Sequence, residues 1–288
     1  MVMATVEGHT PGGVAYAVRG SGPPLLWMSG YVVPVAAFVE VIDELAEAFM
    51  VVAVDHRGSG TSSTRPLPTT TGTMAADALS VLNRLGLDSA HVLGVSLGGM
   101  VAQELAIACP HRVRSLVLCS TTAGGPGAKT PRVRDVVLEL KQTASRVPGG
   151  PVRVRPLGAL HQAATASGHD ATRRLHRIEA PTLVLHGGRD ELVPVPNATW
   201  LASRIPGAEL RVVRGGTHLL LLESPAARKA LCGWLDEHRA HLPAVGPPDP
   251  RALLGLLLEA PYRMLLGQTL PLRRALRAGS RLVRRPSP

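Results

Sequence analysis

Cysteine and aromatic residues are both scarce in this sequence. The three cysteines, Cys109, Cys119 and Cys232, are odd in number, scattered and without metal-ligand spacing. That argues against a disulfide framework or a zinc site and fits reduced packing thiols in a cytoplasmic protein. Phe, Tyr and Trp together make up 3% of the chain, and none occurs between Phe49 and Trp200. A pocket built from that long middle stretch is aliphatic and cannot be an aromatic cage. No apolar run approaches the length of a membrane span. The start, MVMATVEGHTPGG, lacks a basic segment followed by an apolar core, so no secretory signal is expected.

Charge of either sign is also modest, at 18% of residues, against 45% hydrophobic residues over 288 positions. This is the composition of a globular chain with room for one large α/β domain. The net charge of +10 is unevenly spread. Residues 121–179 hold 10 Lys/Arg and 4 Asp/Glu, and residues 243–288 hold 8 Arg and 2 acids, which leaves the remainder slightly acidic. A nucleic-acid-binding core is therefore not indicated. The basic charge belongs to an insertion and a tail.

The stretch with the most information is His91 to Met100. An apolar run, His91-Val92-Leu93, meets Gly94-Val95-Ser96-Leu97-Gly98. This G-x-S-x-G pattern is the mark of a nucleophile elbow, a serine on a sharp strand-to-helix turn. Gly94 and Gly98 lack the Cβ atoms that would collide there. The turn lifts Ser96 Oγ above a sheet and aims the Leu97 N–H, at a helix start, where an oxyanion would form. Five residues with three fixed positions also arise by chance, so context decides. Here a strand precedes the pattern and a small-residue helix, from Gly99 to Ala106, follows it.

Around this stretch the chain alternates strands and helices. Strands are expected at residues 14–19, 25–28, 50–54, 91–95, 113–118, 181–185 and 209–213. Helices are expected at 35–49, after a Thr73 cap, after the elbow, and at 225–238. The rhythm implies a mostly parallel, doubly wound sheet covered on both faces, with ligands at the carboxyl ends of the strands. Between residues 121 and 179 the rhythm breaks. Gly-Pro-rich segments bracket helical pieces at 133–145 and 157–178, read as an inserted helical cap over the strand ends. The expected organisation is a core of residues 1–120 and 180–240, a cap at 121–179, and a basic amphipathic C-terminal extension at 243–288.

A serine hydroxyl is a poor nucleophile until a base takes its proton, and a neutral imidazole is the base suited to near-neutral pH. His218 follows a strand in a Gly215-Gly216-Thr217 loop and could swing over the strand ends. A carboxylate must hold that imidazole in one tautomer. Asp190 directly follows another strand. Glu191 beside it is the runner-up, and Asp55 follows a strand but belongs to the turn Asp55-His56-Arg57-Gly58-Ser59-Gly60-Thr61-Ser62, where a structural role is expected. No acid occurs between Cys119 and Arg134. Of the rival histidines, His91 belongs at the far end of the elbow strand. His56 and His186 read as loop hydrogen-bonders. His161, His169 and His176 lie in the cap with a solvated surface as the default.

From residue 14 to residue 240 the chain resembles the α/β-hydrolase superfamily, especially its small esterase and haloperoxidase-like members. The resemblance rests on the Asp55 to Ser62 turn, the Gly94 to Gly99 elbow, Gly187-Gly188-Arg189-Asp190 and Gly216-Thr217-His218. It implies the fold just described and a triad in the chain order Ser96, Asp190, His218. It also implies a second oxyanion N–H at Tyr31, after the 25–28 strand. There the family's usual His-Gly pair reads Ser29-Gly30, so the loop lacks an imidazole that normally helps fix it. A serine at the elbow argues against relatives that use aspartate there, the haloalkane dehalogenases and epoxide hydrolases.

The implied activity is hydrolysis of carboxylic esters through an acyl-enzyme. Ser96 attacks, His218 relays the proton, Asp190 orients it, and Leu97 and Tyr31 bind the oxyanion. The expected substrate is a small ester of aliphatic character, and no metal or organic cofactor is implied. The same triad would serve an acyltransferase, a C–C hydrolase or a perhydrolase, and a non-catalytic binding protein on this scaffold is the alternative from another class. In the extension, Leu272, Leu276, Gly279 and Val283 share one helical face and six arginines surround it. That pattern suits a membrane surface or a groove on a partner, or a helix packed on the protein itself.

Overall fold

The computed structural model describes residues 6–63, 69–128 and 155–243. Eight strands form one sheet: β1 (Val6–His9), β2 (Ala15–Arg19), β3 (Pro24–Met28), β4 (Met50–Val54), β5 (Ala90–Val95), β6 (Val113–Cys119), β7 (Thr182–Gly187) and β8 (Glu209–Val213). The order across the sheet is β1-β2-β4-β3-β5-β6-β7-β8. β1 and β2 run antiparallel to their neighbours, and from β4 to β8 every pairing is parallel.

The helices are α1 (Val39–Ala46), α2 (Thr71–Arg84), α3 (Leu97–Ala108), α4 (Pro156–Gly168), α5 (Pro196–Arg204), α6 (Leu220–Glu223) and α7 (Pro225–Glu237). Alternate strand residues serve opposite faces. Leu26, Met28, Val52, Val54 and Val92 pack with Met74, Leu82, Val101 and Leu105 of α2 and α3. Leu25, Trp27, Val51, Ala53 and Leu93 pack with Val41, Ile42 and Leu45 of α1 and with Leu231 and Trp234 of α7. The continuous apolar runs of the central strands thus reflect burial on both faces. Each fully buried Val, Leu or Phe among them contributes roughly 1.5–3 kcal/mol of transfer free energy.

The structure departs from the sequence expectations in several places. The helix expected at 35–49 is a 3₁₀ turn, Val35–Phe38, followed by the shorter α1. The α2 cap is Thr70, not Thr73. The Thr70 side chain accepts from the Thr73 N–H at 3.1 Å and Thr73 Oγ1 returns the favour to the Thr70 N–H at 2.8 Å, so both threonines serve one capping box. The piece expected at 157–178 is helical only to Gly168, then turns and resumes as a 3₁₀ segment at Leu175–Arg177. Strand β1 and helices α5 and α6 were not expected. The helix expected at 133–145 and the tail from 244 lie outside the described residues. Among the described residues no helix is long and apolar enough to cross a membrane.

Candidate active site

Ser96 ends β5 and opens α3 with φ 53° and ψ −115°, a combination that side-chain-bearing residues rarely adopt. The surroundings over-determine it. Its N–H donates to the Cys119 carbonyl at 2.9 Å. Its carbonyl accepts from the N–H groups of Gly99 and Met100, at 2.9 and 3.2 Å, and from Thr121 Oγ1 at 2.6 Å. The glycines expected to give way do so. A Cβ on Gly94 would lie 2.3 Å from the Gly98 carbonyl oxygen, and one on Gly98 would lie 2.2 Å from the Met28 carbonyl oxygen. All twelve residues of α3 are buried, and their small side chains let the helix lie against the sheet.

Asp190 and His218 leave the neighbouring ends of β7 and β8. Their loops are fastened together by Gly188 N–H to the Val213 carbonyl, 2.9 Å, and Arg189 N–H to the Gly216 carbonyl, 2.8 Å. Gly187 permits the close approach, since a Cβ there would lie 2.3 Å from the Thr217 carbonyl oxygen. His218 Nδ1 lies 2.8 Å from Asp190 Oδ2. Asp190 Oδ1 accepts from the N–H groups of Leu192 and Val193 at 3.0 and 2.7 Å. The carboxylate is thus held as an acceptor, and the imidazole is left with Nε2 for other chemistry. Glu191 is exposed and takes no part in this pair.

Sequence reasoning passed over His186 as a member of this group. Its Nε2 donates to the Val193 carbonyl at 2.7 Å and lies 3.4 Å from Asp190 Oδ2. Burial pushes the His186 pKa down. Two cap histidines expected at the solvated surface, His161 and His169, are instead buried, while His176 is exposed. His169 Nδ1 contacts Thr71 Oγ1 at 3.1 Å and Glu104 Oε1 at 3.4 Å. Arg174 grips the same carboxylate with two bonds of 2.6 and 2.7 Å. Burial alone would raise the Glu104 pKa, but the bonds from His169 and Arg174 outweigh it and hold the carboxyl at about 2. His91 lies at the start of β5, bonded to Ser115 Oγ at 2.8 Å, away from the elbow.

The loop from Ser29 to Val32 faces Ser96. A Cβ on Gly30 would lie 3.4 Å from Ser96 Cβ and 4.0 Å from Ser96 Oγ. Ser29 is fully buried, and its Oγ accepts from Trp27 Nε1 at 3.1 Å. His56, at the start of the neighbouring turn, is buried, and among the described residues its Nε2 has no hydrogen-bond partner. Burial pushes the His56 pKa down to about 4, so the ring is neutral. Asp55 holds the neighbouring turn, accepting from the N–H groups of Val35 and Thr61 at 2.8 and 3.3 Å. Among the described residues, neither the Tyr31 N–H nor the Leu97 N–H is given to a protein acceptor. A cavity of about 350 Å³ elsewhere, lined by Glu7, Tyr16, Arg19 and Asp55, includes none of Ser96, Asp190 or His218. No cluster of His, Cys, Asp and Glu among the described residues is suited to a metal ion.

Comparison with known proteins agrees with this architecture. A family model described as "alpha/beta hydrolase fold" matches residues 23–150, and one described as "Serine aminopeptidase, S33" matches residues 142–225. A poly(3-hydroxyalkanoate) depolymerase of Ectopseudomonas oleovorans is 30% identical over 262 residues, spanning 81% of this chain and 92% of the relative. Among solved structures, a hydrolase from Pseudomonas aeruginosa PA01 is 26% identical with a TM-score of 0.69, over 83% of this chain and 100% of the other. A thermophilic esterase from Thermogutta terrifontis is 26% identical with a TM-score of 0.67, over 82% and 100%.

Proposed function

Because the chain belongs to the α/β-hydrolase superfamily, we propose that it is a serine hydrolase that cleaves carboxylic esters through an acyl-enzyme. The observation that best supports this reading is the 2.8 Å bond between His218 Nδ1 and Asp190, on loops that leave the same end of the parallel strands as the strained Ser96 turn. With Nδ1 bound to the acid, His218 Nε2 takes the proton of Ser96 Oγ as that oxygen bonds to the ester carbonyl carbon. The carbonyl π-electrons move to oxygen, and the negative charge falls to the N–H groups of Leu97 and Tyr31. Collapse of the tetrahedral species expels the alkoxide, which takes the proton from His218 and leaves as alcohol. Water then repeats the sequence on the acyl-Ser96 ester and releases the acid.

The absence of aromatic residues between Phe49 and Trp200 supports an aliphatic acyl or alkyl group as the part of the substrate held under the cap. Poly(3-hydroxyalkanoate), named in one relative, has that aliphatic ester character. In this reading the basic extension at 243–288 makes a peripheral contact with a membrane surface or with a partner protein, and the two are distinguished by vesicle-borne esters. Loss of turnover on vesicle-borne but not soluble esters, when that segment is removed, supports the membrane contact, and equal turnover on both points to a partner.

A fluorophosphonate probe tests the chemistry. Labelling of the wild-type protein and its loss in Ser96→Ala are expected, together with faster turnover of octanoyl than acetyl esters. A folded wild-type protein that is neither labelled nor active on any activated ester would remove the activity and leave the fold.

A further inference from the structure

The loop that supplies the Tyr31 N–H is held from outside the core, by α4. Gln162 of that helix is fully buried. Its Oε1 accepts from the Val32 N–H at 2.6 Å, and its Nε2 donates to the Arg57 carbonyl and to Ser59 Oγ, both at 2.8 Å. The partners fix the orientation of the amide, since a backbone N–H requires an acceptor and a carbonyl requires a donor. One side chain therefore joins the Ser29–Val32 loop to the Asp55–Ser62 turn.

Three further contacts bring α4 to the same place. Tyr31 Oη donates to the Ala159 carbonyl at 3.0 Å. Arg155 Nη1 donates to the Ser62 carbonyl at 3.2 Å. Gly58 and Gly158 touch backbone to backbone, since a Cβ on Gly58 would lie 2.5 Å from Gly158 Cα.

The bond to Val32 is the telling one. Val32 has φ 49°, in the left-handed region that a β-branched residue enters only under constraint. Val32 is buried, so an N–H left without its acceptor would be costly. The bond from Gln162 offsets both costs and fixes the backbone directly after Tyr31. The Tyr31 N–H belongs to the peptide unit one residue earlier, so an anchored Val32 limits how far that unit can turn.

We propose that Gln162 is a positioning residue for the oxyanion loop: it holds Val32 in its left-handed conformation and thereby aims the Tyr31 N–H at the developing charge above Ser96. The inference rests on the esterase reading. The transition state carries the negative charge and the bound ester does not, so the effect belongs to kcat more than to KM.

The test uses Gln162→Met, which keeps the length of the side chain and removes its polar atoms, and Gln162→Glu, which keeps an oxygen for the Val32 N–H. Folded fraction is measured by thermal melting and kcat is expressed per folded molecule on an activated ester. Gln162→Met is expected to lower kcat about ten- to a hundredfold, leave KM within about threefold, and speed exchange of the Val32 amide hydrogen. Gln162→Glu is expected to fall between it and wild type in kcat. Should the Met variant not fold, Gln162→Ala, which also removes the acceptor of the Val32 N–H, carries the comparison, and an unchanged kcat per folded molecule overturns the proposal. A folded Met variant with wild-type kcat, or a loss confined to KM, also overturns it while leaving the esterase reading intact. A wild-type protein without ester turnover overturns both, although accelerated Val32 exchange would still register the clamp.

Discussion

His186 Nε2 stands 3.4 Å from the same Asp190 oxygen that binds His218 Nδ1. The two imidazoles share one carboxylate, but their situations differ. His186 is fully buried, its Nε2 proton is given to the Val193 carbonyl, and burial pushes its pKa down. Burial disfavours its charged form, and its Nε2 proton is committed to Val193 rather than to the acid.

That division of labour predicts a single-proton acid limb. The logarithm of kcat/KM against pH is expected to rise with unit slope, from one imidazole. A slope of two would contradict this. Asp190→Asn is expected to lower kcat by about 10³- to 10⁴-fold, because His218 loses its tautomer-fixing partner. Glu191→Gln, at an exposed site outside the pair, is expected to stay within about twofold of wild type. Steady-state kinetics on one activated ester checks all three.

The glycines separate by what surrounds them. A Cβ at Gly98 would meet the Met28 and Ser29 carbonyl oxygens at 2.2 and 2.6 Å, so Gly98→Ala must displace the strand end that carries the Ser29–Val32 loop. It is expected to cost on the order of 3 kcal/mol of stability and to lower activity in whatever remains folded. Gly233 lies inside α7, exposed, with nothing within 4 Å of a would-be Cβ. Gly233→Ala is expected to raise stability by about 0.5–1 kcal/mol, as removal of an unneeded helix glycine does. Denaturant melts distinguish the opposite signs.

Acid stability follows from the buried groups. The pKa values of His56 and His91 lie at about 4 in the fold, below the ordinary 6.5, chiefly because burial disfavours their charged forms. Between pH 6.5 and 4 the unfolded chain binds more protons at these sites than the folded one, so stability falls as pH falls through that window. Glu104 acts lower down. Its folded pKa of about 2 is depressed from 4.5, so its stabilisation is complete above about 4.5 and is lost as pH falls toward 2. Glu104→Gln should therefore flatten the decline below pH 4.5 and leave the upper window unchanged. Chemical melts across pH 7 to 3 check this.

Much of the architecture was legible because it is local. The elbow glycines, the apolar runs of β3 to β7 and the short strand-end loops bearing Asp190 and His218 each declare themselves within a few residues. Strand β1 was not legible, since Val6–His9 is exposed along most of its length and has no apolar alternation to betray it. Neither was the support of the Ser29–Val32 loop. Gln162 lies 130 positions from Val32, on a helix whose sequence gives no sign that one of its polar residues is buried. The same holds for Glu104 of α3, whose partners Arg174 and His169 lie far along the chain. Ser29 in place of the family's histidine pointed to a weaker loop. The fold instead holds this loop from Gln162, a support in space that no spacing rule reveals.

The central claim is that the Ser96 oxygen forms a covalent bond to the acyl group. Rapid quenching of the protein with a p-nitrophenyl ester, followed by mass analysis of the peptide containing Ser96, tests it most directly. The account predicts a mass increase equal to the acyl group on Ser96, appearing with a burst of p-nitrophenol and absent in Ser96→Ala. Turnover of the ester with no acyl mass on Ser96, or undiminished turnover in Ser96→Ala, would contradict it.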